Sequence, residues 1–407
     1  MGCKPCGKSR VGGATIACPS IHPVRAIVKS FLLPCLSPLL ALAFAGVAVA
    51  APPEATQAPA ATQARFDDGP YIDYVEGGLV ARWVCGGRSE VARLRAERWP
   101  VRVPPRCGQD AAIEVRAPVG GRERVDLRGV ARLAALSDVH GQYALMLRLL
   151  QANRILDERG DWAWGDGHLV LVGDVFDRGP RVNEIFWKLY ALEQQARAAG
   201  GGLHVLLGNH EAMVLYRDLR YVNDRYFATA NALGIAYTDL YGPGSVIGDW
   251  LRSRPVIARI DDMLFVHGGM SPAFLALGID NETANDRYRE SLGLPRAATR
   301  DDPRYAPLYD GRDSPIWYRG YFDAEALDAA GMDAVLDRLG VAHVVVGHTS
   351  MARVESHRGG RVIAVDSSIK NGESGELLFV EDGRMSRGTL AGERLPLRDA
   401  TATEPVD

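Results

Sequence analysis

Short apolar runs alternate with amphipathic stretches through the middle of this 407-residue chain. Three consecutive units share one order: an apolar run that predicts a buried strand, a short polar segment, and an amphipathic stretch that predicts a helix. The strands are expected at 131–136, 168–172 and 203–207, and the helices begin near residues 142, 182 and 212. This order predicts a largely parallel sheet with crossover helices, which is an α/β arrangement.

The pattern changes on both sides of these units. From 66 to 130, short apolar pieces separated by Gly and Pro predict a small β-rich N-terminal segment. Later strands are expected at 256–260, 263–266 and 343–346, with a helical and loop-rich insertion over 271–340 and a hairpin that turns at 358–360. We therefore expect a main domain over 131–385 and a polar C-terminal tail over 386–407.

The first fifty residues have the pattern of an export signal. Basic residues end at Lys29, and the run from Phe31 to Ala50 is uncharged and closes on Ala-Val-Ala, which suits signal peptidase. A membrane anchor is the alternative, but two prolines interrupt the run and favour cleavage. The sequence predicts a signal peptide over 1–50, a flexible linker over 51–65, a periplasmic or secreted location, and no stable membrane insertion after cleavage.

Composition and cysteine usage narrow the picture further. Beyond residue 50 the chain carries 42 basic and 50 acidic residues, a formal charge of −8, which argues against broad binding to nucleic acid. After signal removal, Cys85 and Cys107 are the cysteines that remain. An even pair in an oxidising compartment predicts a disulfide, although two separate thiols stay open on spacing alone.

Polar side chains follow the predicted strands at their carboxyl ends, where open α/β sheets bind ligands. Glycines adjoin most of them and permit sharp turns and close approach to a ligand. In chain order, these polar residues are Asp138, His140, Asp174, Asp177, Arg178, Asn209, His210, Glu211, His267 and His348. Burying so many imidazoles and carboxylates in one pocket is unfavourable unless cations are present.

Divalent metal ions satisfy that requirement. Imidazole, carboxylate and amide donors suit Mn, Fe, Zn or Co rather than Ca or Mg. The number of donors exceeds what one tetrahedral ion can use, so two ions bridged by one carboxylate fit better. Each motif alone has a simpler explanation, such as a helix cap at Asp138 or Asn209, or a surface turn at residues 177–179. Five such motifs in order, each at a strand end, favour a metal site.

The motifs SDVHGQ, GDVFDRG, GNHE, HGG and GHT, in this order, resemble the calcineurin-like metallophosphatases of the phosphoprotein phosphatase type. The segment SPIWYRG and the export signal resemble the bacterial Shewanella-like protein phosphatase branch. The resemblance covers about 132–380 and implies a β-sandwich flanked by helices in the order α-β-β-α, with the catalytic domain over 131–385. Two departures are Ser137, where the family usually has glycine, and the lack of a segment like the SAPNYC of eukaryotic members.

The resemblance implies a role for each matched residue. Asp138, His140 and Asp174 would bind one metal, and Asp174 would bridge to a second that is bound by Asn209, His267 and His348. Asp177 would orient His210 as the general acid. Arg178 would bind the phosphate, with Arg319 as the second phosphate-binding arginine and Arg254 in reserve.

The expected function is hydrolysis of phosphomonoesters, on phosphotyrosine or phosphoserine/threonine of proteins and peptides or on small phosphomonoesters. A hydroxide held between two divalent ions is the expected nucleophile, and Mn is the ion expected to support activity in vitro. A dinucleoside tetraphosphatase is the enzymatic alternative, which Asp177 and Glu211 disfavour. A non-catalytic metal-binding protein is the other alternative, and it would not need Asp177, Arg178 and His210.

Overall fold

The computed structural model describes residues 65–109, 111–118, 120–309, 311–323, 325 and 327–400. The signal peptide predicted over 1–50 lies outside the described residues, as does the predicted linker apart from Arg65. Among the described residues, none of the helices combines the length and apolar character needed to cross a membrane.

The N-terminal segment is built from strands, as the interrupted apolar pattern predicted. Its strands are β1 (Asp68–Val75), β2 (Gly78–Cys85), β3 (Arg88–Arg95), β4 (Val101–Val103) and β5 (Ile113–Val115). The first three form an antiparallel sheet, and β4 pairs with β5. A disulfide joins Cys85 to Cys107, whose Cα atoms lie 5.1 Å apart. The disulfide therefore links the end of β2 covalently to the loop that follows β4.

Two six-stranded sheets form the rest of the chain's framework. Their strands are β6 (Asp126–Leu127), β7 (Arg132–Leu136), β8 (His168–Val172), β9 (Gly202–Leu206), β10 (Ile257–Ile260), β11 (Met263–Val266), β12 (His343–Val346), β13 (Glu355–His357), β14 (Val362–Ala364), β15 (Leu377–Glu381), β16 (Arg384–Gly388) and β17 (Arg394–Pro396). One sheet has the order β17-β16-β15-β7-β8-β9, and the other has the order β13-β14-β12-β11-β10-β6. Strands β7, β8 and β9 are parallel, as the three repeated units predicted.

Helices follow the strands. They are α1 (Tyr143–Ala152), α2 (Val182–Ala198), α3 (Asn209–Leu215), α4 (Asp224–Leu233), α5 (Val246–Arg252), α6 (Pro272–Ala276), α7 (Asn281–Ser291), α8 (Arg296–Asp301), α9 (Ala306–Tyr309) and α10 (Ala329–Leu339). Local sequence sets their ends. Asp328 accepts a hydrogen bond from the Gly331 amide at 2.7 Å and caps the N-terminus of α10, and Gly340, with φ of 64°, caps its C-terminus.

Successive side chains of a strand point to opposite faces of the sheet, and this alternation explains why two sheets and two helical layers form. In β8, Val170 and Val172 pack into an apolar cluster shared with residues of the second sheet, such as Phe265. Leu169 and Leu171 point the other way, into the cluster that includes the helices. Because both faces of this strand are covered, its run of apolar residues is continuous. The arrangement confirms the predicted α-β-β-α sandwich.

Two boundaries differ from the sequence prediction. The end of the N-terminal segment joins the second sheet, since β6 pairs in parallel with β10. The tail predicted from residue 386 begins with β16 and β17, which extend the first sheet. The Arg394 guanidinium lies 3.3 Å from the centroid of the Phe379 ring, and this contact attaches a mostly polar stretch to the core.

Candidate active site

The polar residues predicted at strand ends come together at one edge of the two sheets. Their backbones turn sharply, because six non-glycine residues there have positive φ. These are Asp138 (54°), His140 (38°), Asp174 (60°), Asp177 (74°), Arg178 (64°) and His348 (64°). Positive φ is unfavourable for residues with a Cβ, and such residues concentrate at functional sites. Six of the thirteen non-glycine residues with positive φ in the described part of the chain thus lie where the sequence predicted chemistry.

Glu211 holds the turn after β8 in place. Its buried carboxylate accepts hydrogen bonds from the amides of Gly208 (2.7 Å), Asp174 (2.9 Å), Val175 (2.8 Å) and Phe176 (3.2 Å). A carboxylate that accepts hydrogen bonds from several backbone amides forms strong bonds. These bonds satisfy the amides that no longer pair with a neighbouring strand once the chain turns after β8. Glu211 therefore fixes the backbone on which Asp174 and Asp177 stand.

Glycine is required where strand ends approach each other most closely. A Cβ at Gly208 would lie 2.1 Å from the Asp174 Oδ1 atom, and one at Gly347 would lie 2.6 Å from the Asp138 Oδ2 atom. Neither is possible without displacing a carboxylate. These glycines therefore set how tightly the polar side chains gather.

The first group of candidate metal-binding atoms is centred on His140. Its Nε2 atom lies 3.7 Å from the Asp138 Oδ1 atom and 3.7 Å from the Asp174 Oδ2 atom. Its Nδ1 atom lies 2.7 Å from the Phe176 carbonyl oxygen, so the ring is oriented with Nε2 towards the two carboxylates. All three side chains are buried. Donors of these types at this spacing suit a divalent transition metal.

The second group shares Asp174 with the first. The Asp174 Oδ2 atom lies 3.2 Å from His267 Nε2, which lies 2.9 Å from Asn209 Oδ1. The ring of His348 lies 5.1 Å from the ring of His267. Within the described residues, the buried Nε2 atom of His348 has no hydrogen-bond partner. A buried nitrogen left without a partner is costly, and a metal ion bound at this position would satisfy it.

The electrostatics favour a cation beside His267, in the second group. Burial would lower the pKa of His267, but the carboxylates of Asp174 and Asp138 raise it to about 10. Burial, together with His267 and Arg319, holds the pKa of His348 well below its usual range. A field that attracts a proton this strongly at one imidazole also attracts a metal ion, which would replace that proton.

His210 lies beside these groups and is paired with Asp177. The His210 Nδ1 atom lies 2.5 Å from the Asp177 Oδ2 atom, and both side chains are buried. Burial alone would lower the pKa of His210, but Asp174 and Asp177 hold it above its ordinary value. Its Nε2 atom faces the Asp174 Oδ2 atom at 3.8 Å. The imidazole is therefore oriented and stabilised in its protonated form next to the candidate metal positions.

The predicted phosphate-binding arginines have different surroundings. Arg178 is exposed, and its guanidinium lies 5.5 Å from the centroid of the Tyr221 ring. Arg319 is also exposed and donates from Nη1 to the Thr349 hydroxyl at 3.2 Å, one residue from His348. Arg254, held in reserve by the sequence interpretation, is buried and paired with two glutamates away from these residues. Its buried ion pairs exclude it from the site.

Two aromatic residues at the site were missed by the sequence interpretation. The Tyr221 ring lies 5.3 Å from the His210 ring, and 44% of Tyr221 is exposed. The Trp317 ring lies 5.5 Å from the His348 ring in an edge-to-face arrangement. Trp317 stands within the SPIWYRG segment, so its position was signalled there, whereas Tyr221 follows no recognisable motif.

Comparison with known proteins agrees with this geometry. Residues 131–351 match the family model of the calcineurin-like phosphoesterases. A cold-active protein-tyrosine phosphatase of a psychrophilic Shewanella species is 41% identical, with a TM-score of 0.77, covering 81% of this chain and 98% of that one. Shewanella-like protein phosphatase 2 of Arabidopsis thaliana is 25% identical over 313 residues, which are 65% of this chain and 78% of the relative. An uncharacterized protein of Schizosaccharomyces pombe is 30% identical over 251 residues, which are 60% of this chain and 74% of the relative.

The chain belongs to the calcineurin-like phosphoesterase family. It is a metal-dependent phosphatase, and the Shewanella-like phosphatases are the branch that its sequence resembled. The expectations of fold, family and enzyme class are confirmed. The roles of the individual site residues remain predictions.

Proposed function

We propose that this phosphatase removes phosphate from proteins or peptides, with a preference for phosphotyrosine, and that it uses two divalent cations. The observation that carries the proposal is the sharing of Asp174. The ligand atoms of Asp174, His267 and His348 lie within 4.8 Å of one another, and the Asp174 Oδ2 atom also lies 3.7 Å from His140 Nε2. One carboxylate between two groups of imidazoles is the arrangement that a bridged pair of ions requires.

The positions of the candidate ligand residues indicate which of the two ions each residue would bind. Asp138, His140 and Asp174 surround one position, and Asp174, Asn209, His267 and His348 surround the other. Divalent ions there would supply positive charge to the phosphoryl oxygens and would make a water molecule acidic enough to attack at neutral pH. Manganese suits the mixed nitrogen and oxygen donors and is the ion we propose for assays.

The chain's own side chains would complete the reaction centre. Arg178 and Arg319 are exposed, and a guanidinium can bind two phosphoryl oxygens at once. His210 would donate the proton that the departing phenolate or alkoxide needs, because Asp177 keeps its imidazole protonated and oriented. Asp177 is then a positioning residue that acts through His210.

The aromatic ring of Tyr221 supports a preference for phosphotyrosine. It is partly exposed beside both His210 and Arg178, so the ring of a phosphotyrosine whose leaving oxygen faces His210 would lie near it. Aromatic pairs contribute about 0.5–1.5 kcal/mol beyond buried area, which is up to about ten-fold in kcat/KM. The relative from Shewanella is named a protein-tyrosine phosphatase, which agrees with this preference.

The experiment compares phosphotyrosine and phosphoserine versions of one peptide, together with a dinucleoside tetraphosphate, in the presence of Mn. We expect kcat/KM to be highest for the phosphotyrosine peptide and Tyr221→Ala to reduce that preference. Phe227→Ala is the matched control, since Phe227 is a similarly exposed aromatic residue at 38% exposure outside the site. Faster turnover of the dinucleotide than of either peptide would favour the nucleotide hydrolase alternative and would overturn the proposal.

Export of the protein is a separate proposal. It is supported by the uncharged run that ends at Ala50 and by the disulfide between Cys85 and Cys107, since disulfides persist in oxidising compartments. We expect the mature protein from the periplasm or medium to begin at Ala51. Mass spectrometry of its N-terminus tests this, and an intact leader on exported protein would contradict cleavage.

A further inference from the structure

A cavity of about 540 Å³ lies away from the candidate active site. It is bounded by the segment that connects β5 to β6 and by residues of α2, α5 and α7. The residues on which the argument rests are Arg116, Tyr190, Val246, Trp250, Arg252 and Arg289. None of the proposed metal-binding or catalytic residues contributes to its lining.

The residues of α2 that line the cavity indicate its distance from the candidate active site. The helix begins at Val182, close to Arg178, while the cavity is lined by Tyr190 and Glu193. At 1.5 Å per residue, Glu193 lies about 16 Å along the helix from Val182. The volume is sufficient for a small organic molecule, because ligand pockets range from about 300 to 1,000 Å³.

The walls combine aromatic surface with guanidinium groups. Trp250 and Tyr190 pack edge to face with ring centroids 6.2 Å apart. The Arg116 guanidinium lies 4.0 Å from the centroid of the Tyr190 ring, and that of Arg254 lies 4.9 Å from the Trp250 ring. Val246 adds a buried aliphatic surface. An apolar or aromatic body would be well accommodated here.

The charge of the lining is positive, since it includes six arginines and three acidic residues. Two of the three acidic residues already form ion pairs with arginines of the lining. Glu193 accepts from Arg116 at 3.0 Å and from Arg254 at 3.2 Å, and Glu123 pairs with Arg254 at 2.6 Å. Glu193 also pairs with Arg197 at 3.4 Å, and Asp286, outside the lining, pairs with Arg122 at 2.7 Å and with Arg289 at 2.9 Å. Within the described residues, Arg252 is therefore the lining arginine that forms no ion pair.

Arg252 shows the lack of a counter-ion most directly. Its Nη1 atom donates to the carbonyl oxygens of Tyr241 (2.8 Å) and Gly248 (2.9 Å), neither of which carries a net charge. Burial lowers its pKa even though Asp249 acts in the opposite direction. Arg116 and Arg289 are paired with Glu193 and Asp286 through their terminal nitrogens, but within the described residues their Nε atoms are buried without a hydrogen-bond partner. Desolvated guanidinium groups of this kind are stabilised by an anion.

We propose that this cavity is a second binding site, for a small aromatic anion such as an aryl carboxylate, sulfonate or phosphate. The aromatic body would pack against Trp250 and Tyr190, and the anionic group would accept hydrogen bonds from Arg252 and its neighbours. This site is independent of the proposed phosphatase substrate, so it does not depend on which phosphomonoester is hydrolysed.

The probe for the test is 1-anilinonaphthalene-8-sulfonate, whose fluorescence rises when it enters an apolar site. N-phenyl-1-naphthylamine has the same aromatic body without the sulfonate and serves as the neutral comparison. We expect saturable binding of the sulfonate at one site per chain, and Arg252→Gln to weaken it about ten-fold, as loss of a charge-assisted hydrogen bond would. Arg159→Gln is the matched control, because Arg159 is exposed and does not line the cavity.

The variant Ala117→Trp provides an independent test, since Ala117 lines the cavity and a large side chain there would fill it. Circular dichroism and thermal unfolding verify that each variant is folded; if Arg252→Gln does not fold, Ala117→Trp decides. Saturating vanadate in the active site should leave sulfonate binding unchanged. Displacement by vanadate, equal binding of the neutral analogue, or full binding in a folded Ala117→Trp variant would each overturn the proposal.

Discussion

The pairing of Asp177 with His210 makes a quantitative prediction about the variant Asp177→Asn. The replacement keeps the size of the side chain and an oxygen that can accept the Nδ1 proton, but it removes the negative charge 2.5 Å from the imidazole. Hydrogen bonds to charged groups contribute about 1.5–3 kcal/mol. The pKa of His210 should therefore fall, because its protonated form loses a stabilising interaction of this size.

The sign of the effect follows from the proposed role of His210 as a proton donor. Asp177 and Asp174 raise its pKa in the folded enzyme, so the active, protonated form persists to higher pH. Removing Asp177 moves the alkaline limb of the kcat profile to lower pH, and kcat above that limb falls about ten- to hundred-fold. The assay is kcat from pH 5 to 10 with Mn, on phenyl phosphate and on p-nitrophenyl phosphate.

The leaving group provides an internal control. Phenolate needs a proton donor more than nitrophenolate does, so Asp177→Asn and His210→Asn should both affect phenyl phosphate more strongly. Asp239→Asn, an exposed acid paired with Arg217, is the matched control and should leave the profile unchanged. An unshifted alkaline limb in Asp177→Asn, or equal losses on both substrates, would refute the assignment of His210 as general acid.

Three further predictions concern metal binding and stability. Asp174→Asn should reduce both activity and bound Mn, measured by inductively coupled plasma mass spectrometry, because both metal groups include this carboxylate; a variant that retains two ions would contradict a bridging role. Glu211→Gln should lower the free energy of unfolding by about 2–3 kcal/mol in urea titrations, because four amides lose an ionised acceptor; unchanged stability would mean that these bonds contribute little. Replacing Cys85 and Cys107 by Ser should cost about 3 kcal/mol, as expected for a closed loop with a separation of 22 residues; an equal unfolding midpoint in oxidised wild type and the double variant would contradict this.

The sequence predicted the strand ends well because the physical signal is local there. An apolar run such as 168–172 followed by Asp174 and Asp177 indicates both the strand and its polar end. The parallel pairing of β7, β8 and β9 then brings those ends to one edge. Periodicity and glycine positions were therefore sufficient to anticipate which side chains would meet.

Other features depend on contacts that no local pattern reports. Arg254 resembled a candidate ligand by residue type, but its buried pairs with Glu123 and Glu193 are formed between distant segments. Tyr221 approaches His210 only through the path of the chain after α3. The strands β16 and β17 lie in a mostly polar stretch, which has little apolar alternation to indicate them.

The central claim is that Asp174 joins two metal positions in one active site. The most direct measurement is a titration of chelator-treated enzyme with Mn, in which bound metal per chain and kcat are followed together. We predict that kcat reaches its maximum only when two ions are bound per chain. Full activity with one bound ion, or with none, would contradict the account.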